Sequence, residues 1–127
     1  MNDITNKIET EVTRRKRLAD IYYDNYRRYL KERKFQKASE FLWGALANIL
    51  YAIALKRYGV KLGKHRQFRD IVNKISIELN DPDIARIYVE SAEIIHANFY
   101  HDFMDEDSFK RHAKNVERLI FKLVELL

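Results

Sequence analysis

The sequence predicts an all-α fold, an antiparallel bundle of about five helices, and three observations carry that prediction. Its 127 residues include only 3 Gly and 1 Pro, and almost no stretch alternates apolar with polar residues as a half-buried strand would. Apolar residues recur instead every three or four positions, the period of a helix face. The segments are joined by short connections, which return successive helices alongside one another. A single domain over residues 1–127 accommodates this, with a long charged first helix over 1–34 and a core over 35–127.

The first helix, about Asp3 to Lys34, places Ile4, Ile8, Val12, Ala19, Tyr22, Tyr26 and Leu30 on one stripe among strongly charged faces. The second, about Gln36 to Tyr58, is apolar around most of its circumference and so belongs at the centre of the bundle. Its small residues Gly44, Ala45, Ala47, Ala52 and Ala54 permit close neighbours, and Gly59 suits a left-handed C-terminal stop. After the basic connection "GVKLGKHRQ", a third helix over Gln67 to Leu79 buries Phe68, Ile71, Val72, Ile75 and Leu79. In "NDPD", Asp81 is a hydrogen-bonding cap and Pro82 a first helical residue. The fourth helix runs to about Phe103. Acidic caps in "MDEDS" then open a fifth, about Ser108 to Leu127, with Phe109, Val116, Leu119, Ile120, Leu123 and Leu127 inside.

Composition excludes several chemistries. There are no cysteines, hence no disulfide, zinc–thiolate site or cysteine nucleophile. The first 20 residues mix charges with isolated apolar groups, unlike a secretory leader. The run Phe41 to Leu55, about 15 residues, is shorter than the roughly 20 that cross a bilayer. The expectation is a cytoplasmic protein without a membrane span. Net charge is +5 and uneven: residues 1–70 hold 17 Lys/Arg against 8 Asp/Glu, and residues 71–127 hold 7 against 11. Such a dipole attracts a polyanion to one side or lets two copies meet through opposite ends.

The fourth helix carries the densest chemistry. At 100° per residue, Ile84, Ile87, Tyr88, Ser91, Ile95, Asn98, Phe99 and Asp102 share the core face. Ser91, Asn98 and Asp102 therefore need polar partners, and with Asn48 of the second helix they are expected to form a buried polar network. His96, with Val89, Glu93, Tyr100 and Phe103, forms a second, partly apolar face suited to a twofold partner. Glu93 and His96, three residues apart, can touch, and a carboxylate beside an imidazole orients it for acid–base work. A metal is not expected, because Glu-x-x-His occurs once and bundle metal sites need it twice with further carboxylates. His101 and His112 read as surface or capping groups. No Ser-His-Asp constellation, Walker loop or dinucleotide fingerprint occurs.

The segments "KASEFLWGALANILYAIAL" (37–55), "YGVKLGKHRQFRDIVNKI" (58–75) and "AEIIHANFY" (92–100), in that order, resemble the HEPN domain superfamily and its archaeal PaREP-type branch, over about residues 35–127. The resemblance implies a helical bundle, usually a homodimer, in a superfamily that contains metal-independent RNases, nucleotide binders and companions of nucleotidyltransferases. Active members carry an Arg separated from a following His by four to six intervening residues, and the pair from two subunits lines a dimer cleft. The matching histidine is His96. Positions 89 to 91 hold Val89, Glu90 and Ser91, so the arginine is absent, and Arg86 lies ten positions back, about 15 Å along the axis.

Two functions are therefore expected in competition, and whether the protein is an enzyme at all is left open between them. One is an RNA- or nucleotide-associated protein, a degenerate metal-independent RNase at a homodimer cleft, with His96, Glu93, Asn98 and Tyr100 in the catalytic positions. Lys61, Lys64, His65, Arg66 and Arg69 would contact phosphates, and Tyr22, Tyr23, Tyr26 and Tyr29 would offer stacking rings. The other is a non-catalytic dimeric module that pairs with a partner such as a nucleotidyltransferase. Neither reading needs a cofactor.

Overall fold

The structure is a computed structural model that describes residues 3–127, and every regular element among them is helical. The helices are α1 (Asp3–Lys31), α2 (Phe35–Tyr58), α3 (His65–Glu78), α4 (Pro82–Ile87), α5 (Glu93–His101) and α6 (Glu106–Val124). A π-helical turn, Tyr88–Ala92, joins α4 to α5 without interruption. Those three segments make one continuous rod, so five helical rods build the all-α bundle.

At the centre lies α2, where Leu42, Leu46, Leu50 and Ile53 are wholly buried, as a helix apolar on all sides must be. By length and composition alone α2 would also qualify as a membrane span, yet here its apolar residues form the bundle core. It ends on Gly59 at φ 66°, with Val60 N donating to Ala54 O and Gly59 N to Leu55 O. This is the left-handed stop that a residue without Cβ allows.

Antiparallel to α2 runs α1, with Arg15 beside Asn48 and Tyr51, and Tyr22 and Tyr29 against Phe41. In this register α2 ends opposite the second turn of α1. Val12, Ala19 and Tyr26 are accordingly buried, whereas Ile4, expected on the core stripe, is 70% exposed. The helix stops at Lys31, three residues earlier than the periodicity suggests, because Arg33 turns into the left-handed region at φ 59°. None of the tyrosines expected as stacking rings is free. Tyr26 is buried with its hydroxyl donating to Glu117 Oε2 (2.5 Å), Tyr22 and Tyr29 pack on Phe41, and Tyr23 meets Tyr26 and Phe121.

The connection from Gly59 to Lys64 is extended and runs back along α2, with Leu62 buried on the way. Six residues cover about 20 Å this way. Trp43 therefore meets His65 and Phe68 at the start of α3, and Tyr58 hydrogen-bonds Glu78 at its end. The third helix thus runs parallel to α2, although a short connection suggests the reverse. It also starts at His65, two residues before the predicted Gln67, because the Gln67 side chain accepts from the backbone N–H groups of Gly63 and Lys64 (both 2.8 Å) and caps the turn.

The continuous rod from α4 through α5 lies antiparallel to α2, with Gln36 near Phe99, Ser39 bonded to Asn98 and Trp43 on His96. Asp81 caps α4 by accepting from Asp83 N, as expected, and Asp105 caps α6 through Ser108 N.

The polar groups expected in one buried network fall into separate places. Asn48 accepts from Arg15 Nη1 (3.1 Å) and donates to Gly44 O. Ser39, which does face the fourth rod, is nine residues from Asn48, half a rotation around α2. Ser91 pairs with α6, where Asn115 Nδ2 donates to its Oγ (3.1 Å) and His112 Nδ1 lies 2.9 Å away. His112 is therefore a packed, hydrogen-bonded residue and not a surface group. Asp102 is exposed, because the chain turns left-handed there at φ 45° and leaves the helix.

Candidate functional site

The chemistry gathers where α2, α3 and α5 meet. Trp43, half-buried on α2, is covered by the His96 imidazole in a parallel stack with centroids 4.1 Å apart and planes 4° from parallel. His65, the first residue of α3, closes a triangle at 5.4 Å from His96 and 5.8 Å from Trp43. Phe68 and Tyr88 back the indole, each at 6.1 Å, and Tyr100 tilts against the outer side of His96 at 5.3 Å. The aromatic quadrupoles favour these offset and edge arrangements.

One turn before His96, Glu93 accepts from Arg69 Nη2 through both carboxylate oxygens (2.8 and 2.6 Å), and His65 Nε2 lies 3.0 Å from Oε2. Arg69 Nε and Nη1 make no hydrogen bond among the described residues. Burial opposes the Glu93 charge, and the hydrogen bonds from Arg69 and His65 outweigh it, so the carboxyl stays below the usual range. Burial, then the neighbouring His65 charge, lowers the His96 pKa, with Glu93 opposing. The Tyr88 hydroxyl is buried with no hydrogen-bond partner among the described residues. Burial and then the charge on Glu93 make it a weaker acid than usual.

The π turn shapes this corner. Glu93 N donates to Tyr88 O across it, and Tyr88, Ser91 and Ala92, at i, i+3 and i+4, all face inward. Ser91 accepts from Asn115, which leaves its hydroxyl hydrogen for His112 Nδ1. The turn is thus anchored to α6 just before Glu93 and His96 emerge.

The sequence-derived candidates divide accordingly. Glu93, His96 and Tyr100 are brought together, joined by His65 and Arg69 from the predicted phosphate-binding group. Lys64 and Arg66 are exposed on either side of His65, whereas Lys61, also exposed, lines a cavity with Arg14, Arg15 and Tyr51 beside α1; none of the three makes an ion pair among the described residues. Asn98 is elsewhere: it is wholly buried, donates to Ser39 Oγ (2.9 Å) and accepts from Phe103 N and Met104 N (3.0 and 2.9 Å). It caps the end of α5 and reaches no solvent. Arg86 is held by Asp83 and Glu90, away from His96.

Sequence reasoning missed Trp43 as the floor of the site and Arg69 as the arginine paired with Glu93. The chain's lone tryptophan, on the central helix, was a signal, but the 24-residue separation of Arg69 and Glu93 leaves none. Of the expected partner-facing surface, Val89, Tyr100 and Phe103 are 51%, 65% and 54% exposed, whereas Trp43 and His65 cover much of His96 and Glu93. Among the described residues no group of three His, Asp or Glu could hold a metal ion.

The depressed histidines predict a pH dependence. His112 is lowered as well, by burial and then by Arg111, with Glu90 opposing. The unfolded chain then protonates these rings first as pH falls, so the stability they lend is present above about pH 6.5 and is lost below it. The melting temperature is expected to fall from pH 7 to about pH 5, and to fall less in His96→Phe, which keeps a ring on Trp43 without titrating. An equal fall in that variant would assign the effect elsewhere.

Fold and site define an all-helical bundle protein with an aromatic and cationic cluster at one three-helix junction. A sequence model of the archaeal PaREP1/PaREP8 family matches residues 14–120, and the chain belongs to that family. The match begins inside α1, so it takes in residues 14–34, which lay outside the expected 35–127, and it ends at 120. Searches of curated proteins and of solved structures return no match.

Proposed function

We propose that this protein is a HEPN-like helical protein that binds RNA or a nucleotide beside Trp43 and His96, with RNase chemistry that is degenerate. The observation that carries the reading is the start of α3. Lys64, His65 and Arg66 stand at the N-terminal end of a 14-residue helix with no acidic residue in its first turn. Cations there oppose the helix dipole and cost stability. Sequences depart from such local rules chiefly at functional sites, and an anion bound at this end would gain from both the dipole and the side chains. The aromatic floor beside it offers a base a ring to stack on once an imidazole moves.

The degenerate reading rests on Arg69. Arg69 would be the arginine that the spacing before His96 lacks, but it pairs with Glu93, which lies one turn before His96 and holds its Nη2 through both oxygens. A guanidinium so engaged is poorly placed to stabilise charge building on a phosphate.

Fluorescence anisotropy with a labelled single-stranded oligouridylate tests the binding. Affinity is expected to fall steeply with salt, and Lys64→Ala with Arg66→Ala to flatten the log–log slope by about 1.4, at roughly 0.7 for each phosphate that is no longer neutralised. Binding insensitive to salt and to these changes would refute the site. The same RNA is expected to remain intact in the presence of EDTA. Cleavage that persists there and disappears in His96→Ala would establish an active RNase instead.

The exposed Val89, Tyr100 and Phe103 favour a second reading, a dimeric interaction module pairing with another copy or with a protein such as a nucleotidyltransferase. A sedimenting dimer that Tyr100→Asp dissociates, without RNA binding, would support this reading over the first.

A further inference from the structure

We propose that the clasp of His65 and Arg69 is a phosphate subsite whose resident anion in this conformation is the protein's own Glu93, and that RNA binds by displacing that carboxylate towards the Tyr88 hydroxyl. The inference rests on the RNA reading above and names how that site is regulated.

Three observations support it. A carboxylate and a phosphate use the same donors in the same fork geometry, and Glu93 occupies Arg69 Nη2 and His65 Nε2 at 2.6 to 3.0 Å. The cations sit on the outer side, with side chains 47% and 53% exposed for His65 and Arg69, whereas Glu93 is only 16% exposed. A ligand from solvent therefore reaches the clasp from the side opposite Glu93. Finally, a fully buried hydroxyl without a partner is costly, and Tyr88 carries one a single π turn from Glu93. Released from Arg69, the carboxylate has a ready donor there, and the hydroxyl gains the acceptor it lacks.

The closed clasp lowers apparent affinity by the fraction of molecules that are open. Removing the internal competitor should reverse that. By anisotropy with the same labelled oligouridylate at low salt, Glu93→Gln is expected to bind about tenfold tighter than the wild type, as an open fraction near a tenth implies. Its salt slope should also be steeper. Tyr88→Phe, which removes only the hydroxyl that receives Glu93, is expected to bind about threefold more weakly while melting at a higher temperature. A purely structural Tyr88 would shift the melting temperature alone.

Wild-type binding with Glu93→Gln no tighter would overturn the clasp and leave the RNA reading standing. Tight binding by Glu93→Gln where the wild type binds poorly would support a clasp that is mostly shut. No binding by either protein would remove the RNA reading and the clasp together. Should Glu93→Gln not fold, Tyr88→Phe decides, and unchanged affinity in it would overturn the proposal.

Discussion

Asn98→Ala is expected to unfold with a melting temperature lower by about 10 °C, a large loss for one polar side chain. The side chain is wholly buried, and its oxygen satisfies Phe103 N and Met104 N where the chain leaves α5 while its amide donates to Ser39. Alanine leaves the two backbone donors without their acceptor, at about 1 kcal/mol or more each, or roughly 2 to 3 kcal/mol together, while Ser39 keeps its bond to Phe35 O. A thermal melt followed by circular dichroism measures this directly. RNA affinity measured well below the transition should be unchanged, since Asn98 lies outside the aromatic and cationic cluster. A variant that melts normally but loses binding would return Asn98 to the site.

Gly44→Leu is expected to cost about 3 kcal/mol by loosening α1 from α2. A Cβ at this position would lie within 2.8 Å of Tyr22 Cε2 and closer still to Cδ2. The ring cannot swing freely, because Phe41 holds its edge at 5.7 Å and Tyr29 stacks on Phe41 in turn. Alanine would lose less, since it gains about 1 kcal/mol of helix propensity over glycine. Urea unfolding of Gly44→Leu alone and combined with Tyr22→Ala checks the cause. If the ring is the obstacle, the two losses fall well short of adding. Full additivity would place the strain elsewhere.

Much of the fold was legible because local rules act within a few residues. The apolar circumference of α2, the Gly59 stop, the Asp81 cap with Pro82 and the stripe of α6 all follow from spacing and backbone preference. Where the expectation failed, a distant partner decided the outcome. Ile4 matches the stripe of α1 but lies beyond the register in which α2 faces it. The helix phase that turned Asp102 inward held through Asn98 but ignored the left-handed turn at Asp102 that ends α5.

The candidate site was legible in part. Glu93, His96 and Tyr100 share one helix face, so their neighbourhood follows from helical geometry alone. Asn98 resembled them in chemistry while standing on the opposite, buried side. Nothing local announced that His65 and Arg69 would reach Glu93, because that contact requires the extended segment before α3 to run back along α2 and bury Leu62.

By itself, then, the sequence determined an all-helical protein with α2 at its centre and a histidine and a carboxylate one turn apart on the fourth rod. These depend on periodicity, caps and burial of apolar faces, each set by residues close in the chain. Only the tertiary structure decided that an arginine of α3 pairs with Glu93, that Trp43 floors the cluster, and that His65 reaches the same carboxylate. Those facts depend on helix direction and register, which arise when distant faces pack together.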